Sequence, residues 1–409
     1  MSLKIELLRI TLSFKPLCNK ANQKYLIGAI LSVCAGQTYA AGLERSPLQI
    51  DALFESGTYA EVGYTHMSLD VTGTDASGHS ISNMAEDFQL FNYAVKTDLS
   101  PNLRLAVIYD EPYGAKVKFD GENNFVATNL PAEDAKTRVD VKSRNITTLF
   151  GYNLNKNVMI YGGPALQQLQ ADVHLRGFTY GPNSGYNNHF DDIAVGWVAG
   201  LSYAKPEMGI LASLTYRSEI DHKTTIHEDV PLADLLGIDY SHQNSGTITT
   251  PESINLNLQT GLNATTAVYA KVRYVPWGDF AYYPPVLEAA TAKAKQLSKG
   301  LPLVNYSDDQ TAVELGIGKR LAPNLAISVS GLWDSGAGDP APTLGPVNGY
   351  WGAGLAAKYN FNQKLAFSLG GRYMWFGDAK GSTPDGSIKG DFKDNTGYIV
   401  GMKLSYKSK

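Results

Sequence analysis

Large apolar side chains recur at every second position in segment after segment of this chain. In LAFSLGGRYMWF, residues 365–376, Leu365, Phe367, Leu369, Tyr373 and Trp375 alternate with Ala366, Ser368, Gly370 and Arg372. Side chains of a strand point to opposite faces at period two, so the stretch predicts a strand with one bulky apolar face and one small or charged face. The same alternation predicts strands near 58–69, 87–97, 103–119, 138–153, 158–176, 191–204, 210–225, 246–262, 267–282, 307–320, 325–334, 348–360, 364–380 and 392–406. That makes fourteen, an even number, in an all-β chain.

The connections sort into two kinds. DLSPN (98–102), LNKN (154–157), KPEMG (205–209), NATT (263–266), LAPN (321–324) and NFNQ (360–363) are tight turns built from turn-favouring residues. Between them lie longer segments at 70–86, 120–137, 177–190, 226–245, 283–306, 335–347 and 381–391. Strict alternation of short and long connections predicts an antiparallel transmembrane barrel with short periplasmic turns, long outer loops and both termini on the periplasmic side. A soluble sandwich has no reason to keep that alternation.

One alternating strand taken alone favours a soluble sheet packed on a second layer. Fourteen of them, with no helical layer to cover them, leave an apolar surface that a bilayer would cover. No apolar run beyond residue 41 approaches the roughly 20 residues of a membrane-crossing helix. Aromatic residues gather at strand ends: Tyr109 and Tyr113, Tyr152 and Tyr161, Tyr274 with Trp277, Phe280, Tyr282 and Tyr283, Tyr350 and Trp351, and Tyr373 with Trp375 and Phe376. Tyr and Trp favour the membrane–water boundary, and 24 Tyr suit such girdles better than a packed core. A mean hydropathy of −0.18 is compatible with this, since a polar lumen dilutes the outer face.

Residues 1–40 depart from the rest of the chain. Lys20 and Lys24, an apolar run from Tyr25 to Ala35, and Thr38-Tyr39-Ala40 before Ala41-Gly42 have the layout of a secretory signal, giving a mature N-terminus at Ala41. Residues 1–18 lie upstream of an adequate signal and suggest a misplaced start; a lipoprotein signal ending at Cys34 ranks below, because Val33 is large for that processing. Cys18 and Cys34 are the only cysteines, so the exported chain would hold no disulfide and no thiol. Removing the segment leaves 35 less 5 basic and 39 less 1 acidic residues, a formal charge of about −8 against a nucleic-acid partner. The expected organisation is a signal at 1–40, a short N-terminal arm at 41–57 and a barrel at 58–409.

No enzymatic constellation is present. The chain has no G-x-S-x-G elbow, no P-loop and no H-E-x-x-H, so neither a catalytic residue nor a cofactor is expected. The seven histidines, 66, 79, 174, 189, 222, 227 and 242, are scattered over strand ends and loops. His222 and His227, with Asp221, Glu228 and Asp229, could form a loop metal site, but a solvated polar loop is the better reading. Asp334 and Ser335 in LWDSGAGDP resemble a catalytic pair only superficially, since the Gly and Pro around them suit a strand end. A phospholipase barrel would carry Ser and His on its outer wall, and no such pair stands at readable spacing.

Several segments, in order, resemble the FadL family of outer-membrane long-chain fatty acid transporters: YGAKVKF (113–119), QADVHLRGF (170–178), LTYRSEI (214–220), RYVPWGDF (273–280), LWDSGAGDPAP (332–342) and YWGAGLAAKYNFN (350–362). LTYRSEI is the sharpest of these. The resemblance implies a fourteen-stranded antiparallel barrel in the outer membrane of a Gram-negative bacterium, monomeric, folded by the barrel assembly machinery and surrounded by outer-membrane lipid and lipopolysaccharide. It implies passive uptake of a long-chain fatty acid or a similar hydrophobic compound, captured at the outer loops and released sideways where the third strand kinks. Pro112, Tyr113 and Gly114 fall at that kink, and a residue without a donor beside one with free backbone angles interrupts a ladder; the alternative is an ordinary bulge. Arg176 falls where relatives bind the ligand carboxylate, which a guanidinium grips with two hydrogen bonds; the alternative is a lumen arginine paired with a wall acid. Arg217 and Glu219, two apart, are expected to face the lumen as a structural charge ladder.

The outer groove of such a transporter is sought in the loops. Leu232, Leu235, Leu236 and Ile238 have helical spacing after Pro231, and Val286, Leu287, Leu297, Leu301 and Leu303 lie in a second loop whose centre also reads as a helix. Exposed apolar clusters mark binding or loops packed on one another. Three departures limit the transfer. Only about seventeen residues, AGLERSPLQIDALFESG, precede the first strand, without the family's Asn-Pro-Ala hatch motif. GFTYGPNSGYNNHF lacks the family's helical insertion, and the chain ends SYKSK, with Tyr406 displaced from the usual terminal aromatic position. The competing function is therefore a non-selective pore or structural barrel lacking a hatch.

Overall fold

The computed structural model describes residues 43–46, 48–240 and 245–408; the expected signal sequence, Ala41, His242 and Lys409 lie outside the described residues. Numbering the strands of the wall alone, β1 is Tyr59–Asp70, β2 Phe88–Asp98, β3 Leu103–Asp110 with an outer part Gly114–Lys118, β4 Arg138–Asn153, β5 Val158–His174 and β6 Asn187–Lys205. β7 is Ile210–Arg217 with an outer part Ile220–Thr225, and β8 has an outer part Ser245–Thr250 before Ser253–Asn263. β9 is Thr266–Val275, β10 Gln310–Ala322, β11 Leu325–Asp334, β12 Asn348–Asn360, β13 Leu365–Gly377 and β14 Thr396–Lys407. Each pairs antiparallel with its neighbours, and β14 pairs back on β1 from Tyr59↔Lys407 to Asp70↔Thr396. The wall is a closed fourteen-stranded barrel.

Four strands depart from the sequence expectation. β3, β7 and β8 are each interrupted rather than continuous, and β9 ends at Val275, before Pro276. Pro112 in β3, Pro251 in β8 and Pro276 after β9 lack the N–H that a ladder needs. In β7 the break falls between Arg217 and Ile220.

The two faces separate as the alternation requires. On β13, Ala366, Ser368 and Arg372 are buried inside, while Leu369, Tyr373 and Trp375 are exposed outside. Val62, Val95, Phe150, Val195 and Leu355 are exposed in the same way around the wall. A closed wall has no polypeptide layer outside it, so hydrocarbon covers this face, and the barrel satisfies its own backbone within it. Among the described residues no helix is long and apolar enough to cross a membrane. The girdle holds for Tyr152, Trp351, Tyr373 and Trp375, but Tyr113, Tyr161, Trp277, Phe280, Tyr282 and Tyr350 are buried instead.

Inside, polar side chains pair. Glu61 meets Lys403 at 2.9 Å and Tyr59 at 2.6 Å near the periplasmic end. Higher up, Asp110 pairs with Arg217 at 3.2 Å, Glu314 with Arg372 at 2.8 Å, and Glu44 of the arm with Arg273. Asp110, Arg217, Arg273, Glu314 and Arg372 each lie seven or eight residues from the periplasmic end of their strands, as Leu103 to Asp110 or Ala322 to Glu314 shows. They form a belt of paired charges at one height, the arrangement that buried charges require.

The short arm lies within the barrel. Its single helical turn α1, Asp51–Phe54, buries Ala52 and Leu53, which join Leu48 and Ile50 against Ile108, Leu149, Met159 and Val198 of β3 to β6. Phe54 meets the Tyr161 ring edge-on at 6.0 Å.

Candidate functional site

The break in β3 opens a gap on its β2 side. The two strands are bonded as far as Tyr93↔Tyr109, and the next bridge is Ala85↔Val117. Opposite, β3 gains a residue against β4, with Asp110 facing Asn145 but Gly114 facing Lys142. This is a bulge, and Ser143 Oγ secures it by accepting from Tyr113 N at 2.7 Å and donating to Tyr113 O at 2.8 Å.

The arm closes this gap. Arg45 N and Ser46 N donate to Pro112 O at 2.8 and 3.2 Å, and Gly114 N donates to Leu43 O at 2.6 Å. Only glycine fits at 114, since a Cβ there would lie 2.2 Å from Arg45 Cζ and 2.5 Å from Val141 O. The Arg45 guanidinium sits 3.9 Å above the Phe88 ring of β2, a cation–π contact across the opening. Pro112, Tyr113 and Gly114 thus mark a real break in the wall, and Leu43 to Ser46, which sequence reasoning left as an undifferentiated arm, are its plug.

Directly above the charged belt and behind the break lies an apolar cavity of about 60 Å³. Tyr113 from β3, Val141 from β4, Leu169 from β5, Phe190 from β6, Ile248 and Pro251 from β8, and Trp277 are among its walls, and no charged residue is. Tyr113 Oη donates to Pro251 O at 2.9 Å, so the interruptions of β3 and β8 are tied together across the lumen. Trp277 stands edge-on to Tyr113 at 6.0 Å and near Tyr306 at 5.1 Å. Burial pushes the Tyr306 phenol well above its ordinary value.

Most of the residues expected to line an outer groove pack on one another. α2, Pro231–Leu235, packs near α3, Pro285–Lys295. Leu232, Val286, Leu287 and Leu303 are buried in the outer apolar cluster, and Leu236 and Ile238 pack against it half-buried. Leu301 is half-buried, and only Leu235 and Leu297 are exposed. Glu228, from a different outer loop, accepts from Val286 N at 2.8 Å and Leu287 N at 3.0 Å, which caps α3 with its apolar side inward. Burial raises the Glu228 carboxyl above its ordinary value despite those bonds.

Arg176 is engaged within the protein. Its guanidinium donates to Asp134 O at 2.9 Å, Leu175 O at 2.9 Å, Tyr186 O at 3.0 Å and Asn187 Oδ1 at 2.7 Å. A fork so engaged is a clasp between two outer loops, and Arg176 does not line the cavity. Arg217 and Glu219 are separated by the break in β7: Arg217 faces Asp110 inside, while Glu219 is exposed. His222 and His227 are not a pair, because His222 is buried against Asp192 and Gln167 while His227 lies beside His189 at the rim. Among the described residues no group of three or more His, Cys, Asp or Glu could hold a metal ion.

No protein-family model and no curated protein sequence matches this chain. Solved structures match its shape. A FadL homologue of Pseudomonas aeruginosa superimposes with a TM-score of 0.69, over 92% of this chain and 98% of its own, at 12% identity. The toluene transporter TodX of P. putida gives 0.59 over 87% and 92% at 12% identity, and the toluene transporter TbuX of Ralstonia pickettii 0.55 over 91% and 92% at 10% identity. The chain has the fold of the FadL-type barrels. At this identity the likeness speaks for the fold, and the fourteen-stranded outer-membrane barrel expected from the alternation stands. What a FadL-type barrel of this sequence carries must be argued from its own cavity.

Proposed function

We propose that this barrel takes up a small neutral hydrophobic compound across the outer membrane, passively, through the cavity behind β3, which at about 60 Å³ must widen to admit an aromatic ring, and out sideways into the bilayer at Pro112 to Gly114. One observation carries the reading: an uncharged cavity sits directly on a belt of paired charges, at the height where the wall is broken. An apolar molecule gains about 0.8 kcal/mol for each methylene it buries and would lose that gain among ions, so the side exit is favoured over the axial one. The toluene transporters sharing the fold support the ligand class.

A fatty acid is the weaker candidate. Its carboxylate needs a donor when buried, the cavity offers no cation, and Arg176 is engaged elsewhere. The packing of the arm against β3 to β6 inside the lumen weighs against an open pore. Cells lacking their own barrels of this type, expressing this chain, are expected to accumulate radiolabelled toluene several-fold faster than control cells, with little gain for oleate. Vesicles containing the protein are expected to exclude sugars. Free passage of sugars would instead establish the pore, and oleate uptake without toluene uptake would overturn the neutral ligand.

A further inference from the structure

β6 and β7 part much as β2 and β3 do. Their ladder runs to Arg217↔Val198, is extended by Ser218 N on Trp197 O and Trp197 N on Ser218 Oγ, both at 3.0 Å, and resumes only at His227↔His189. Between those rungs β6 stays bonded to β5, while the outer part of β7 pairs with the outer part of β8, from Ile220↔Thr250 to Thr225↔Ser245. The result is a two-stranded flap attached below at Ser218-Glu219 and Pro251-Glu252 and, on its β7 side, tethered above where His227 pairs with His189.

Side chains, rather than a ladder, hold the flap to β6. Gly196 leaves room for Ile220, since a Cβ at 196 would lie 2.5 Å from Ile220 Cγ1. His222, fully buried, lies 3.1 Å from both Asp192 Oδ2 and Gln167 Oε1. On the flap's buried face Ile248 and Thr250 line the apolar cavity, as does Phe190 of β6. On the outside Ile193 and Val195 are 60% and 66% exposed, so the seam faces hydrocarbon. An apolar space therefore lies behind a seam closed by a few side-chain contacts, with apolar side chains in front of it.

We infer that the seam between β6 and β7 is a second lateral portal, through which a neutral hydrophobic molecule passes between the cavity and the membrane when the flap swings away from β6. The inference rests on the uptake reading above. His222 and its two partners are the latch, and the Tyr113 to Pro251 hydrogen bond ties the flap's β8 hinge to the first break.

The test uses the full exported chain in phospholipid vesicles, with Cys18 and Cys34 replaced by Ser if they persist, and the photoactivatable aromatic 3-trifluoromethyl-3-phenyldiazirine, labelled sites being mapped by mass spectrometry. Label is expected at Tyr113 and at Ile220 and Ile248. In Gly196→Cys/Ile220→Cys, oxidation is expected to cut the label at Ile248 at least five-fold, and reductant to restore it, with Tyr113 unaffected. Asp192→Asn, which keeps the shape and weakens the latch, is expected to raise label at Ile220 at least two-fold and serves if the cysteine pair fails to fold. Label at Tyr113 with none at Ile220 or Ile248 in wild type or in Asp192→Asn would overturn the second portal and leave the uptake reading intact. Absence of label from every inward-facing residue would overturn both.

Discussion

The two breaks in the wall are closed by different means. At the first, β2 and β3 separate after Tyr93↔Tyr109 and rejoin at Ala85↔Val117 in unchanged register, and the space is filled by Leu43 to Ser46 from another part of the chain. At the second, β6 and β7 rejoin one residue out of register, since ten residues from Arg217 to His227 span nine from His189 to Val198, and the wall's own hairpin fills the space. A separate plug can shift without disturbing any rung of the barrel. A hairpin built from the wall moves only about its hinges, so its motion is coupled to the strands below. The first break is therefore sensitive to whatever anchors the arm, and the second to the contacts along β6.

The largest effect expected from breaking this contrast follows removal of the arm's ionic anchor. Glu44→Ala leaves the buried Arg273 guanidinium with the Asn255 side-chain oxygen at 2.8 Å and no carboxylate beside it, and orphaning one member of a buried pair costs about 3–5 kcal/mol. The arm is expected to detach, so the Gly114 amide, bonded to Leu43 O, loses protection from hydrogen exchange while amides along β6 keep theirs. Equal loss at both breaks would mean that the closures are not independent. Arg176→Ala comes next and bears on neither break. It removes charge-assisted hydrogen bonds between the loops at 120–137 and 177–190, and is expected to loosen them by roughly 1.5–3 kcal/mol, read as faster limited proteolysis there. Binding of toluene is expected to be unchanged; weakened binding would restore Arg176 to the ligand site.

Alternation and turn residues made the barrel legible because both are local. Which residue a strand bonds to is not local, and so neither gap could be read from the period-two pattern. Pro112 stood out because Gly114 follows it so closely. Pro251 carried the same signal, but TITT before it and SINLNLQ after it each alternate cleanly, and the strand reads straight through. The break in β7 has no Pro or Gly; its only trace is a slip of phase, Arg217 and Ile220 both facing in where period two forbids a step of three. Trp277 and Tyr282 were read as girdle because an amphipathic ring at a strand end looks the same whether it faces lipid or lumen. The loop leucines were recognised as apolar, but their burial depends on Glu228 reaching α3 from nearly sixty residues away. Arg176 was placed by resemblance, and the backbone carbonyls that engage it leave no mark on sequence.

The smallest effect tests whether the two closures communicate at all. Tyr113→Phe keeps the ring against Trp277 and deletes the one hydrogen bond that joins the β3 kink to Pro251. The loss is expected to be about 1 kcal/mol, because the carbonyl left behind lies in a dry site, too little to unfold a barrel whose ladder is untouched. If the hinge of the flap is steadied from the first kink, exchange should quicken at Gly114 and also along the outer part of β7, from Ile220 to Thr225, by several-fold in each. Quickening confined to Gly114 would mean that the hydrogen bond serves the kink alone and that the flap is held by its contacts with β5 and β6, those of His222, Thr224 and Thr250 among them, without help from across the lumen. The double variant Glu44→Ala/Tyr113→Phe then apportions the effect, since additive losses mark independent closures and a shortfall marks a shared one.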